Sequence, residues 1–139
     1  VYLEPGEAVV GDCATLEVSV LDVLDNGKAL AIVDASTEAH MLDLLIYRLN
    51  ARVTPDSGPH RYMICGKSCL AGDIFGELSF PEPLRPGSRL SLCDAGGYTM
   101  VKKNWFNGLN MPAIAIKEAD ASIRLVREFG YADYLASLS

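Results

Sequence analysis

The 139-residue chain is half apolar and carries 18 acidic against 12 basic side chains, a formal charge of −6. That length buries one ordinary core, so a single globular unit is expected and nothing in the composition signals disorder. The acidic balance speaks against a nucleic-acid partner and suits a cationic small molecule, and no apolar run approaches the roughly 20 residues of a membrane-spanning helix.

The chain opens Val1-Tyr2-Leu3-Glu4-Pro5-Gly6, without an initiator methionine, a basic leader or a cleavage site, and reads as a piece of a longer protein. Its four cysteines, Cys13, Cys65, Cys69 and Cys93, are too few and too scattered for a disulfide scaffold. Reduced thiols in a cytoplasmic protein are therefore expected. Cys65 and Cys69 lie four apart, but structural zinc uses two close ligand pairs, and His40 and His60 are distant from one another, so no metal site is expected.

From Thr15 to Val33 two apolar runs flank Asp25-Asn26-Gly27-Lys28, the signature of a tight hairpin. Leu16, Val18 and Val20 alternate with Glu17, Ser19 and Leu21, as in a strand with one buried face. The return strand, Ala29 to Asp34, is continuously apolar and should be central in its sheet. Ser36 or Thr37 can cap a short helical turn that carries Met41, Leu44 and Leu45 at helical spacing. Leu49 to Val53 and Arg61 to Cys65 read as short strands around a Pro55–Pro59 turn. Pro81 to Ser88 is an extended connection, and Arg89 to Cys93 alternates again as a strand. Ala95-Gly96-Gly97-Tyr98 reads as a glycine-rich turn. Ala113 to Ile116 and Ser122 to Val126 form a last pair of strands around Ala119 and Asp120, and Tyr131 to Leu138 a terminal helix. The class predicted is mainly β, an antiparallel barrel or sandwich with little helix.

Cys65 to Gly76, Cys-Gly-Lys-Ser-Cys-Leu-Ala-Gly-Asp-Ile-Phe-Gly, holds more chemistry than a fold requires. Its glycines suit close backbone approach, and Cys69 and Asp73, a helical turn apart, are expected to face one small molecule from the wall of an active site. Singly, each motif also has a structural reading: Glu4-Pro5-Gly6 as a turn, Cys69 as a small buried apolar residue, Tyr98 as a core tyrosine. His40 reads as a cap on its local turn, Trp105 as a core residue and Lys102-Lys103 as a solvated patch.

The order of the motifs is more specific than any one of them: Glu4-Pro5-Gly6, Asp34 after a strand, Gly66-Lys67-Ser68-Cys69 with Asp73, Gly96-Gly97-Tyr98-Thr99, and Phe106-Asn107-Gly108. In this order they resemble the ornithine and diaminopimelate decarboxylase group of pyridoxal-phosphate enzymes, whose fold is alanine-racemase-like. The form of Cys69-Leu70-Ala71-Gly72-Asp73, the run Tyr98 to Gly108 and the ending Val126 to Tyr131 are most similar to the branch that decarboxylates carboxynorspermidine and carboxyspermidine.

The resemblance implies the C-terminal β domain of a two-domain enzyme whose N-terminal α/β barrel, of TIM type, is absent from these residues. Residues 1–10 would end the barrel domain and cross over, and 11–139 would form the β domain with its short terminal helix. Pyridoxal 5'-phosphate would be the cofactor, and the enzyme a homodimer with active sites at the interface. Glu4 would bond the cofactor's pyridine nitrogen, with Gly6 in the same cofactor-binding turn, and Tyr98 would reach the cofactor and its phosphate. Cys69 would act on the neighbouring subunit's site, handling the proton that returns to Cα, and Asp73 would attract the distal ammonium of a polyamine substrate.

Three departures from the family pattern bear on this. Glu7 stands where many relatives have a phosphate-gripping arginine, which keeps open a cofactor-free regulatory homologue. Leu70 replaces an acid that follows the cysteine in relatives acting on short diamino acids, and suits the methylenes of a longer substrate; a related diamino-acid decarboxylase is the other reading. No lysine here matches the one that carries the cofactor.

Overall fold

The computed structural model describes residues 1–138. Two short 3-10 turns, Glu7–Val9 and Gly11–Cys13, lead into strands β1 (Leu16–Asp25) and β2 (Ala29–Val33). These pair antiparallel from Val20↔Val33 to Asp25↔Ala29, with Gly27 at φ +72° in the turn. Glycine, free of a Cβ, adopts that angle most readily, so Asn26-Gly27 fixes the register. The alternation of β1 is as predicted, with Leu16, Val18 and Val20 buried.

The segment after β2 forms two short helices, α1 (Thr37–His40) and α2 (Leu42–Tyr47). The Ser36 hydroxyl caps α1, accepting from the Ala39 N–H at 3.4 Å, and Met41 (φ −139°, ψ 54°) separates the two. The helices form the crossover to β3 (His60–Cys65), which lies parallel to β2 through Leu30↔Met63 and Ile32↔Cys65. Parallel neighbours need such a connection, and this one pair departs from the fully antiparallel sheet expected.

Two further differences concern strands. Leu49 to Val53 is not a strand: its main chain makes one isolated bridge, Val53↔Leu92, and the Ala51 N–H donates to the Phe75 carbonyl at 2.6 Å. The unforeseen strand is β4 (Ile74–Phe80), antiparallel to β3 from His60↔Phe80 to Cys65↔Ile74. Its pattern is interrupted by the buried Gly76, and Ile74 and Phe75 close a stretch whose residue types point to a loop. After the extended Pro81–Ser88 connection comes β5 (Arg89–Leu92), giving the sheet order β4-β3-β2-β1-β5. As expected, β2 is central.

The core lies on one face of this sheet. Val18, Val20, Ala31, Val33, Ile64, Phe75, Leu78 and Leu92 are all at most 2% exposed. Gly96-Gly97-Tyr98 is not a plain turn but the start of helix α3 (Gly97–Lys102), which packs beside α1 and α2. A separate antiparallel ribbon of β6 (Ile114–Lys117) and β7 (Ile123–Arg127) follows, then α4 (Tyr131–Ala136), close to the predicted positions. Trp105 anchors this end, with Tyr134 at 5.6 Å and Phe129 at 6.3 Å between ring centroids. Among the described residues no helix is long and apolar enough to cross a membrane.

Candidate active site

Two clusters of functional side chains emerge, each joining motifs that are far apart in sequence. The first joins the Glu4-Pro5-Gly6 turn to the start of α3. A Cβ on Gly6 would stand 3.1 Å from the Tyr98 hydroxyl, so the turn's backbone lies directly against the phenol. One residue on, the Glu7 side chain packs against Gly97, where an added Cβ would stand 3.2 Å from the Glu7 Cγ. Glu4 itself is exposed, and Tyr98 is half exposed. Neither side chain makes a hydrogen bond among the described residues.

Lys102 is not part of a solvated patch. Its ammonium donates to Asp43 Oδ1 at 2.5 Å and lies 5.2 Å from the Tyr98 ring centroid and 5.7 Å from that of Tyr47. The hydrogen bond to Asp43 raises its pKa, so the charge is held firmly. Lys103 is engaged as well, donating to the Met100 carbonyl at 3.0 Å and standing 5.5 Å from the Phe129 ring centroid. Their i, i+4 and i, i+3 relations on α3 are visible in the sequence, but the partners on α2 and near the C-terminus are not. Between the N-terminal turns, α2 and α3 lies an open cavity of about 600 Å³ lined by Glu7, Asp12, Asp43, Tyr47, Arg52 and Thr99.

The second cluster is the loop from Gly66 to Asp73. Cys69 and Asp73 do not share a helical face, because the segment is the connection of the β3–β4 hairpin, closed by the Gly66 N–H donating to the Asp73 carbonyl at 2.8 Å. Cys69 is exposed, and its thiol donates to Asn107 Oδ1 at 3.7 Å. The Phe106-Asn107-Gly108 motif is thereby joined to the cysteine. Leu70 is half buried beside it, with its N–H donating to the Ser68 hydroxyl at 3.3 Å. Cys65 is a packed thiol, pushed up in pKa by burial and secondarily by the Asp73 charge.

Asp73 corrects the sequence expectation most sharply. It is 3% exposed, and its carboxylate receives four hydrogen bonds from the protein itself. Oδ1 accepts from the Thr37 N–H at 2.7 Å and the Thr37 hydroxyl at 2.9 Å; Oδ2 accepts from the Ser68 N–H at 3.1 Å and the Ser68 hydroxyl at 2.5 Å. Burial alone would raise its pKa, but these donors outweigh burial and hold it below the ordinary carboxylate value. A carboxylate so enclosed is not placed to receive a substrate ammonium; it ties the loop to α1.

His40 is buried at the end of α1. The Ser36 N–H donates to its Nδ1 at 3.2 Å, which makes Nε2 the donor to the Asn110 carbonyl at 3.0 Å. Burial lowers its pKa, against the opposing pull of the Asn110 carbonyl, so the neutral ring is favoured. It serves the local turn, as the sequence suggests, and also a segment 70 residues away.

Comparison with known proteins identifies the family. Residues 8–96 match the family described as pyridoxal-dependent decarboxylase, C-terminal sheet domain. The chain is 69% identical over all 139 residues to the carboxynorspermidine/carboxyspermidine decarboxylase of Herminiimonas arsenicoxydans, of which it covers 38%. It is 39% identical over 137 residues, 95% of its length, to the carboxyaminopropylagmatine decarboxylase of a Synechocystis strain, of which it covers 35%. The crystal structure of the Campylobacter jejuni carboxynorspermidine decarboxylase complexed with norspermidine superposes with a TM-score of 0.85 at 38% identity, over 99% of this chain and 41% of that one. The chain thus spans about two fifths of the length of these relatives. A β-rich sheet domain, the chain belongs to the pyridoxal-dependent decarboxylases as their C-terminal sheet domain.

Proposed function

We propose that the whole protein is a cytoplasmic homodimer that decarboxylates carboxynorspermidine or carboxyspermidine to the corresponding polyamine. The 69% identity with the Herminiimonas relative over all 139 residues is the observation that carries this reading.

The residues present suit pyridoxal phosphate. Glu4 and Tyr98 offer an acceptor and a donor that no protein group engages among the described residues, and Gly6 leaves the Tyr98 hydroxyl unobstructed by a side chain. When bound, the cofactor supplies a sink for the electron pair released with carbon dioxide. Glu4 would hold a proton at the pyridine nitrogen, and Tyr98 would donate to the phosphate. In this assignment residues 1–10 form the crossover from a preceding barrel domain.

Cys69 would serve the neighbouring subunit. Its thiol gives a proton to the substrate's Cα once the bond to the carboxylate carbon has broken, and solvent restores the thiol. Leu70, beside it, would pack against the substrate's methylenes. The charge that attracts the polyamine must come from residues other than Asp73.

The full-length protein, loaded with pyridoxal phosphate, is to be assayed for carbon dioxide release from carboxynorspermidine, carboxyspermidine, carboxyaminopropylagmatine and diaminopimelate. Release from the carboxylated polyamines with little from diaminopimelate supports the reading. A preference for diaminopimelate, or no release from any of the four, overturns it.

A further inference from the structure

The hydrogen bonds around Asp73 run on through α1 and return to Cys69 from the opposite side. Asp73 holds Ser68, next to Cys69, with one carboxylate oxygen and the first residue of α1, Thr37, with the other. At the far end of α1 the Glu38 and Ala39 carbonyls accept from the Asn104 side chain and main chain, each at 2.9 Å. His40 holds the Asn110 carbonyl at 3.0 Å. Between those anchors lies Asn107, the acceptor of the Cys69 thiol, in a left-handed conformation (φ 58°, ψ 16°) that asparagine tolerates better than most residues. One four-residue helix therefore holds both the cysteine loop and the thiol's acceptor.

Neither Asn nor Glu reproduces what Asp73 does. All four groups facing it are donors, and an ionised carboxylate is acceptor-only, whereas an amide would turn its NH2 toward Thr37 or Ser68. A longer side chain would not fit, because the carboxylate already fills the space where a Cβ on Gly66 would stand. A glycine at 66 and an aspartate at 73 are thus two parts of one closure.

We propose that Asp73 is the positioning residue for Cys69, clamping the loop to α1 so that the thiol meets Asn107 and is presented in one orientation. The inference deepens the proposed function and rests on its assignment of proton delivery to Cys69. Asp73 touches no substrate in this scheme; it acts through Ser68.

The test uses the full-length enzyme loaded with pyridoxal phosphate, with Asp73→Asn and Ser68→Ala made in the wild type and in a Cys69→Ala background. Steady-state kinetics are combined with the rate of Cys69 alkylation by iodoacetamide, followed by peptide mass spectrometry. Displacement of a reacting group by an ångström slows turnover steeply, so kcat should fall about tenfold or more for Asp73→Asn. KM should stay near its wild-type value, and Ser68→Thr, which restores the hydroxyl, should recover kcat where Ser68→Ala does not. Neither variant should slow Cys69→Ala further, and the alkylation rate of Cys69 should change in both.

A raised KM with kcat retained would return Asp73 to substrate binding and overturn the proposal, as would an unchanged alkylation rate. If Asp73→Asn fails to fold, Ser68→Ala carries the same comparison. Should Cys69→Ala keep wild-type turnover, the proton-delivery reading falls by itself, and the alkylation rates still decide whether Asp73 positions the thiol.

Discussion

The Lys102 ammonium stands 5.2 Å from the centroid of the Tyr98 ring, one helical turn along α3, and is held there by Asp43 of α2. Lys102 thereby restrains the phenol at its face, while Gly6 leaves the hydroxyl clear of any side chain. In its proposed role at the cofactor phosphate, Tyr98 would gain from such restraint, since less side-chain freedom is lost on binding.

Lys102→Met in the full-length protein should therefore weaken pyridoxal-phosphate binding. Losing an exposed cation–π contact corresponds to roughly a two- to fivefold rise in Kd. Equilibrium dialysis of the cofactor checks this, and Lys102→Arg should lie closer to the wild type. An unaltered Kd would separate Lys102 from the cofactor site.

Cys69→Ala should slow turnover by roughly a hundredfold, the usual contribution of a positioned acid, while leaving the cofactor bound. Stopped-flow and steady-state rates, read beside cofactor absorbance, make the measurement. Cys69→Ser, with a hydroxyl that yields its proton far less readily, should recover little. Full turnover in Cys69→Ala would remove the thiol from the reaction.

His40 predicts a pH dependence of stability with a definite sign. Its folded pKa lies below the unfolded value of 6.5, chiefly through burial, so the unfolded chain binds the proton more readily. The contribution is whole above pH 6.5 and is lost as the pH falls from there through the folded value. Asp73 also has a depressed pKa, but its contribution is lost only in the carboxylate range, below the ordinary aspartate value of 3.8. Urea titrations of the full-length protein should show a loss of stability between pH 7.5 and 5.5 that is smaller in His40→Asn. Equal losses would mean that His40 does not titrate in this window.

Phe75, fully buried in β4, should be among the costliest truncations in the sheet. Phe75→Ala is expected to destabilise the fold by about 3–5 kcal/mol, from lost transfer energy and the cavity left behind. The urea midpoint should fall with little change in m-value, whereas a shift below 1 kcal/mol would mean that the neighbouring Ile64 and Leu78 collapse into the space.

Local rules made much of the architecture readable. Period-two alternation marked β1, Asn26-Gly27 marked the turn to β2, and Asp120 with its neighbours marked the turn between β6 and β7. Each is a signal confined to a few consecutive residues, where backbone sterics and face alternation act. The strand β4 escaped because Gly76 interrupts its pattern and because Ile74 and Phe75 adjoin a loop rich in functional residue types. The parallel pairing of β2 with β3 is set by how the α1 and α2 crossover packs, which no short window contains.

The same division runs through the site. Family motifs in order along the chain were enough to single out Glu4, Gly6, Cys69, Leu70, Asp73 and Tyr98. Which of these charges faces outward was not decided there. A carboxylate is a substrate ligand or a structural clamp according to how many donors surround it, and the donors of Asp73 come from Thr37, 36 residues away, as well as from Ser68. Lys102 likewise acquires its role only when Asp43 and Tyr98 close around it. Residue types and their spacing settled the chemistry available to this protein; hydrogen-bond partners brought together by folding decided which groups remain free to use it.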